Sequence, residues 1–135
     1  QAPSRSTDGG PPFFGRSGAR LAGLAGVEEL GAAFDLSNLL GRWPGAAKGK
    51  GDLFPALEAR DAAAHVVATY AGRRVVLVGR GVAAAFGVRS PWLTWVPFKA
   101  CDAAVLPHPS GVNLWYNDRE IAARAARFLR EEADR

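Results

Sequence analysis

A chain of 135 residues, 48% hydrophobic and 22% charged, holds the material for one core, and that balance excludes a largely disordered polypeptide. Seventeen Lys and Arg stand against thirteen Asp and Glu, a net charge of +4 that permits a nucleic-acid partner without requiring one. One cysteine, Cys101, excludes an internal disulfide and cannot by itself build a zinc or iron–sulfur site, and no apolar run nears the ~20 residues that cross a bilayer.

In chain order, the polar Gln1–Pro12 stretch with Gly9-Gly10-Pro11-Pro12 predicts an irregular loop rather than a signal peptide. Leu21 and Leu24 at helical spacing predict a helix from Ser17 to about Ala25, closed by Gly26, with a second short helix around Val27 to Ala33. Phe34 to Leu40 alternates apolar and polar residues and predicts a short strand ending near Asn38. Residues 41–52, with four glycines, Pro44 and two lysines, predict a loop.

Phe54 to Tyr70 predicts a helix with Leu57, Ala64, Val67 and Ala68 on its inner face. Arg73 to Gly79 carries the apolar run Val75-Val76-Leu77-Val78, expected of a parallel strand covered on both faces. A helix follows from Val82 to Phe86, ended by Gly87, and Trp92–Phe98 and Ala103–Leu106 predict two further strands. Asn117 to Glu132 closes the chain as a helix with Ile121, Ala125, Phe128 and Leu129 inward and its charges ordered to suit the helix dipole. Alternating strands and helices predict one α/β domain over 1–135, a three-layer α/β/α sandwich with a short, mainly parallel central sheet. In such sheets ligands bind beyond the carboxyl ends of the strands, which sets Asn38, the Gly79 turn and His108 along one rim.

Three segments reach that rim: Gln1–Ser4 with Pro12–Gly18, then Ser37–Leu40, then Leu106–Gly111 running into Asn113-Leu114-Trp115. They supply an aromatic face, an amide and an imidazole. An aromatic side chain stacks on a flat base, an amide matches the donor–acceptor edge of a pyrimidine, and a strand-end histidine can donate to an oxygen gathering charge. Singly, each has an ordinary alternative: Phe13 as core, Asn38 as a strand-end cap, His108 as a turn residue.

In this order the segments resemble the uracil-DNA glycosylase superfamily. Pro12-Phe13-Phe14-Gly15-Arg16-Ser17-Gly18 is similar to the Pro-Phe-x-Gly-Arg-x-Gly stretch of the bacterial iron–sulfur branch, and Val105–Gly111 resembles the His-Pro-Ser-Pro loop of other branches; the likeness spans residues 1–132. The resemblance implies that Gln1 contacts the base and positions water, Phe13 stacks on the flipped base, Asn38 reads its edge, and His108 stabilises the charge left on the pyrimidine. It implies a DNA-contacting loop of Ser110, Gly111, Asn113, Leu114 and Trp115, with Leu114 and Trp115 as the wedge and Arg16 as a further DNA contact; for Trp115 an ordinary core or surface role stays open.

The departures carry expectations of their own. Ala2 stands where the most active branch has the water-activating aspartate, so catalysis would rest on leaving-group stabilisation, with Asp8 the alternative carboxylate. Ser4 replaces a tyrosine that excludes the 5-methyl of thymine, so larger 5-substituents should enter. Arg42 replaces a cluster cysteine, so no iron–sulfur cluster, metal or other cofactor is expected. The family's first strand would lie before Gln1, and methionine is absent throughout, so preceding residues are expected.

Two other signals compete. Gly79-Arg80-Gly81-Val82-Ala83-Ala84 approximates the G-x-G-x-x-A dinucleotide turn, with Asp102 as its acidic partner, though tight helix–strand packing explains the same glycines. Arg73-Arg74 and the Lys48-Gly49-Lys50 loop offer phosphate contacts or plain solvated charge, and genome composition alone explains an Arg-rich chain equally well. The expectation is a monomeric, cytoplasmic, monofunctional glycosylase acting on uracil or a 5-modified uracil in DNA, without membrane association. The alternatives are a relative turned to DNA base modification, a non-catalytic DNA-binding module, and a nucleotide-cofactor enzyme.

Overall fold

A computed structural model describes residues 12, 13, 15–41, 54–109 and 114–135. The first helix, α1, runs Arg16–Ala25 and buries Leu21, Ala22 and Ala25; it stops at Gly26, whose φ of 72° is the left-handed cap that glycine accepts without strain. The next seven residues form only a short 3-10 turn, Leu30–Ala32, where a second helix was expected.

Helix α2, Ala56–Val66, continues into a 3-10 turn through Tyr70. Its buried face is Ala59 and Ala63, not the predicted stripe: Leu57 is 75% exposed. Most apolar residues on that helix are alanines spread around it, so the packing partner chooses the face. Here the partner is α3, Arg80–Phe86, and Gly81 of α3 sits where an added Cβ would lie 3.1 Å from the Phe54 ring. Small residues let the two helices meet closely.

Among the described residues three strands form one sheet in the order β1-β3-β2, with β1 at Arg74–Val78, β2 at Val96–Phe98 and β3 at Cys101–Leu106. β1 and β3 are parallel, and β2 is antiparallel to β3, so the sheet is half parallel rather than mainly parallel. The predicted strand 92–98 shrinks to its last three residues plus an isolated parallel bridge from Trp92 to Val105. The β2–β3 hairpin turns through Lys99 and Ala100, with Lys99 at a φ of 53°. Neither residue belongs to the Asn/Gly set that marks such turns, which is why the antiparallel pairing gave no local signal.

β3 is the middle strand. Ala103, Ala104 and Val105 are fully buried, and the two alanines let neighbours approach from both faces. Alternate residues serve two separate cores. Val76, Val78, Ala104 and Leu106 join Leu21, Ala25, Phe128 and Leu129 of α1 and α4 (Arg119–Ala133); Val75, Leu77, Ala103 and Val105 join Val82, Ala83 and Phe54. Trp95 stacks on Phe128 with centroids 5.3 Å apart, and Asp118 caps α4 by accepting from the Glu120 N–H at 2.9 Å.

The outer side of β1 is different. The Arg73 carbonyl accepts from Asp102 N–H and Gly79 N–H donates to the Leu106 carbonyl, so odd-numbered residues turn their backbone groups toward β3. With a strand period of two, Arg74, Val76 and Val78 turn theirs the other way. Among the described residues no strand pairs there. Phe34–Leu40, the predicted strand, runs as irregular chain on the far side of a cleft of about 440 Å³ that β1 lines. Without a hydrogen-bonded neighbour the alternating pattern has no ladder to join, and Arg73 with Asp35 closes one end of the gap as an ion pair.

Candidate functional site

The carboxyl ends of β1 and β3 bring two turns together. Gly79, at a φ of 95°, ends β1, and an added Cβ there would lie 3.5 Å from the His108 Cβ. His108 follows β3 between two buried prolines, Pro107 and Pro109. This segment is anchored from the side by a residue that the sequence reading missed: the buried Tyr116 hydroxyl donates to the Pro107 carbonyl at 2.6 Å. Burial holds the Tyr116 phenol well above its usual pKa, so it stays a donor. No spacing or motif marks Tyr116 beforehand, because its partner is a backbone carbonyl.

The His108 ring is half-buried, and burial lowers its pKa from the usual 6.5 to about 4. The ring is therefore neutral near pH 7 and carries one N–H donor and one acceptor. A neutral imidazole donates to an oxygen that gains negative charge without bringing a proton that must first be lost.

Phe13 sits at a φ of 57°, half-buried, and Gly18 explains how it is held: a Cβ at Gly18 would lie 1.6 Å from the Phe13 carbonyl oxygen. The glycine ending the Pro-Phe-x-Gly-Arg-x-Gly stretch is thus a contact requirement. Phe13, Ser37, Leu39 and Leu106 line the same cleft beside β1. Asn38 lies between Ser37 and Leu39, half-buried, and its Oδ1 is buried with no hydrogen-bond partner among the described residues. Such an orphaned acceptor costs about 1–3 kcal/mol unless something donates to it.

Phe13, the chain around Asn38 and the end of β3 thus border one cleft, and His108 adjoins the Gly79 turn at the neighbouring strand end. Arg16 opens α1 and is exposed. Trp115 is 46% exposed and meets Trp92 edge-to-face at 5.6 Å, over which the Arg80 guanidinium lies at 3.7 Å. Leu114 starts the 3-10 turn Leu114–Asn117. Gln1, Ala2, Ser4, Asp8, Phe14, Arg42, Lys48, Lys50, Ser110, Gly111 and Asn113 lie outside the described residues.

The competing signals resolve structurally. Asp102 pairs with Arg74 at the start of β3, four steps from Leu106 and the Gly79 turn, or about 13 Å along the sheet. It cannot receive a ribose whose phosphates rest on that turn, and the φ of 95° at Gly79 and the close approach of Gly81 to Phe54 account for both glycines. Arg74 bonds Glu132 at 2.7 Å and lies 4.0 Å over Trp95, so it ties β1 to α4. Cys101 is buried, donates to the Phe98 carbonyl and has a raised pKa, mainly through burial, which suits a small core thiol.

Among the described residues no group of three His, Cys, Asp or Glu gathers to hold a metal, and no helix is long and apolar enough to cross a membrane. Compared with family models, curated proteins and solved structures, the chain matches none of them.

Proposed function

We propose that this domain is a glycosylase of the uracil-DNA glycosylase type, hydrolysing the N-glycosidic bond of uracil or a 5-modified uracil flipped out of DNA. The observation that carries the reading is His108: a neutral imidazole on a proline-framed, tyrosine-anchored turn beyond the strand ends. The orphaned Oδ1 of Asn38 supports it, since a pyrimidine N3–H is the donor it lacks. The fold reading that goes with it is a three-layer α/β/α sandwich, supported by the two cores fed by alternate residues of β1 and β3. The unpaired edge of β1 fits a sheet that takes one more strand there. We take the working protein to be a monomer on DNA in a reducing, cytoplasmic setting, where a lone buried thiol is at ease.

In this mechanism Phe13 stacks on the base, and Asn38 accepts from N3–H and donates to the adjacent carbonyl. As the N1–C1′ bond breaks, the electron pair goes to the base and spreads onto its O2, where His108 donates its N–H. Water adds to C1′ and releases a proton to solvent. No carboxylate is assigned to that water, so the leaving-group side carries the acceleration; loss of one such donor costs about 10²–10³ in rate.

The test is single-turnover incubation with labelled oligonucleotides carrying uracil, thymine or 5-hydroxymethyluracil, followed by alkali and a gel. Cleavage should fall about 100-fold or more in His108→Ala and strongly in Asn38→Ala, and 5-hydroxymethyluracil should be accepted if Ser4 opens the gate. Binding without cleavage would shift the reading to base modification or a DNA-binding module, a course that Ala2 at the aspartate position favours. A folded protein with neither activity ends the proposal.

A further inference from the structure

On the α2–α3 side of the molecule, Arg60 of α2, Arg80 of α3, and Arg89 and Ser90 of the following loop line one hollow of about 750 Å³. Among the described residues no acidic side chain lines it and no carboxylate pairs with any of the three arginines; the ion pairs among those residues engage Arg73 and Arg74 instead. Arg80 is held in place twice, by its Nη1 donating to the Ser90 carbonyl at 2.7 Å and by its stacking over Trp92. Ser90 is 9% exposed, and its Oγ is closed to solvent with no hydrogen-bond partner among the described residues.

Three like charges around one hollow repel, and an anion with several oxygens offsets that repulsion. A guanidinium fork matches two oxygens of a phosphate, and the neighbouring arginines serve the others. Arg80 joins the hollow to Trp92, whose neighbour Trp115 is 46% exposed, and a basic groove with an exposed aromatic ring nearby is an arrangement that holds single strands. We propose that this hollow binds a backbone phosphodiester of a nucleic-acid strand. The proposal extends the DNA-binding half of the function above and is read by binding alone, so failure of cleavage leaves it standing.

The test uses the whole chain and fluorescence anisotropy of a 5′-fluorescein dT12 oligonucleotide between 50 and 200 mM NaCl, with thermal melts of every variant. Arg60→Gln with Arg89→Gln, both exposed positions, should weaken binding about tenfold or more and lower the log–log salt slope by about 2. Arg124→Gln with Arg127→Gln removes the same charge from α4 and should leave affinity within about twofold of the parent. In a second measurement, inorganic phosphate is titrated into ¹⁵N-labelled protein, and the Arg89 and Ser90 amide signals should shift. Equal losses in the two double variants would reduce the effect to overall charge and overturn the site. Amide shifts with inorganic phosphate, combined with unchanged dT12 binding in the Arg60/Arg89 variant, would overturn the strand and leave a free-anion site.

Discussion

The two sides of β1 present a contrast within five residues. Toward β3 the strand is paired along its whole length, both faces are covered, and the chain beyond its end is fixed by the Gly79 N–H bond to the Leu106 carbonyl and by the Tyr116 anchor. Away from β3 the backbone groups of Arg74, Val76 and Val78 face a cleft, and the opposite wall, Phe34–Leu40, never becomes a strand. Phe34–Leu40 alternates apolar and polar residues as a strand does, yet among the described residues it finds no ladder partner. An apolar sequence earns strand geometry only where a neighbour completes the ladder.

The comparison breaks most directly in the core. Leu106→Ala, at a fully buried side chain, should cost about 3 kcal/mol, whereas Leu36→Ala, half-buried on the cleft wall, should cost about 1 kcal/mol or less. Urea denaturation of both would show it, and equal losses would mean that the cleft wall is packed as tightly as the strand end.

Acid should attack the His108 side first. Its folded pKa, near 4, lies below the usual 6.5, so the unfolded chain binds the extra proton between those values. The stability tied to a neutral His108 is complete above about pH 6.5 and declines as pH falls toward 4, on the order of 3 kcal/mol in all. Comparing the pH profile of melting in the parent and in His108→Gln isolates this share. A parallel profile in the two proteins would contradict the burial argument.

Tyr116→Phe leaves the Pro107 carbonyl without its hydroxyl donor and should cost about 1–2 kcal/mol in denaturant unfolding. It should also slow base release more than that cost explains, because the turn carrying His108 loses its anchor. The smallest effect is an alternation in hydrogen exchange. Amides of Val76 and Val78 should exchange at least about tenfold faster than those of Val75 and Leu77. Uniform protection would reveal a partner on the outer edge of β1.

Much of the fold is legible in local pattern. The run Val75–Val78, the stops at Gly26 and Gly87, and the amphipathic order of α4 with Asp118 at its start predict those elements within a few residues. The misses share a cause. Leu57 points outward because α2 buries alanines against α3, Phe34–Leu40 lacks a ladder, and the β2–β3 hairpin turns without glycine or asparagine. Each outcome is decided by a neighbour distant in sequence.

The candidate site divides the same way. Residue types and their order nominate Phe13, Asn38 and His108, because stacking, amide pairing and donation to an oxygen each demand a particular side chain. Folding alone buries the His108 ring and lowers its pKa, leaves the Asn38 oxygen without a partner among the described residues, anchors Pro107 through Tyr116, and gathers Arg60, Arg80, Arg89 and Ser90 around one hollow. Side-chain chemistry is written residue by residue; desolvation, orphaned atoms and converging charge are properties of what folding brings alongside.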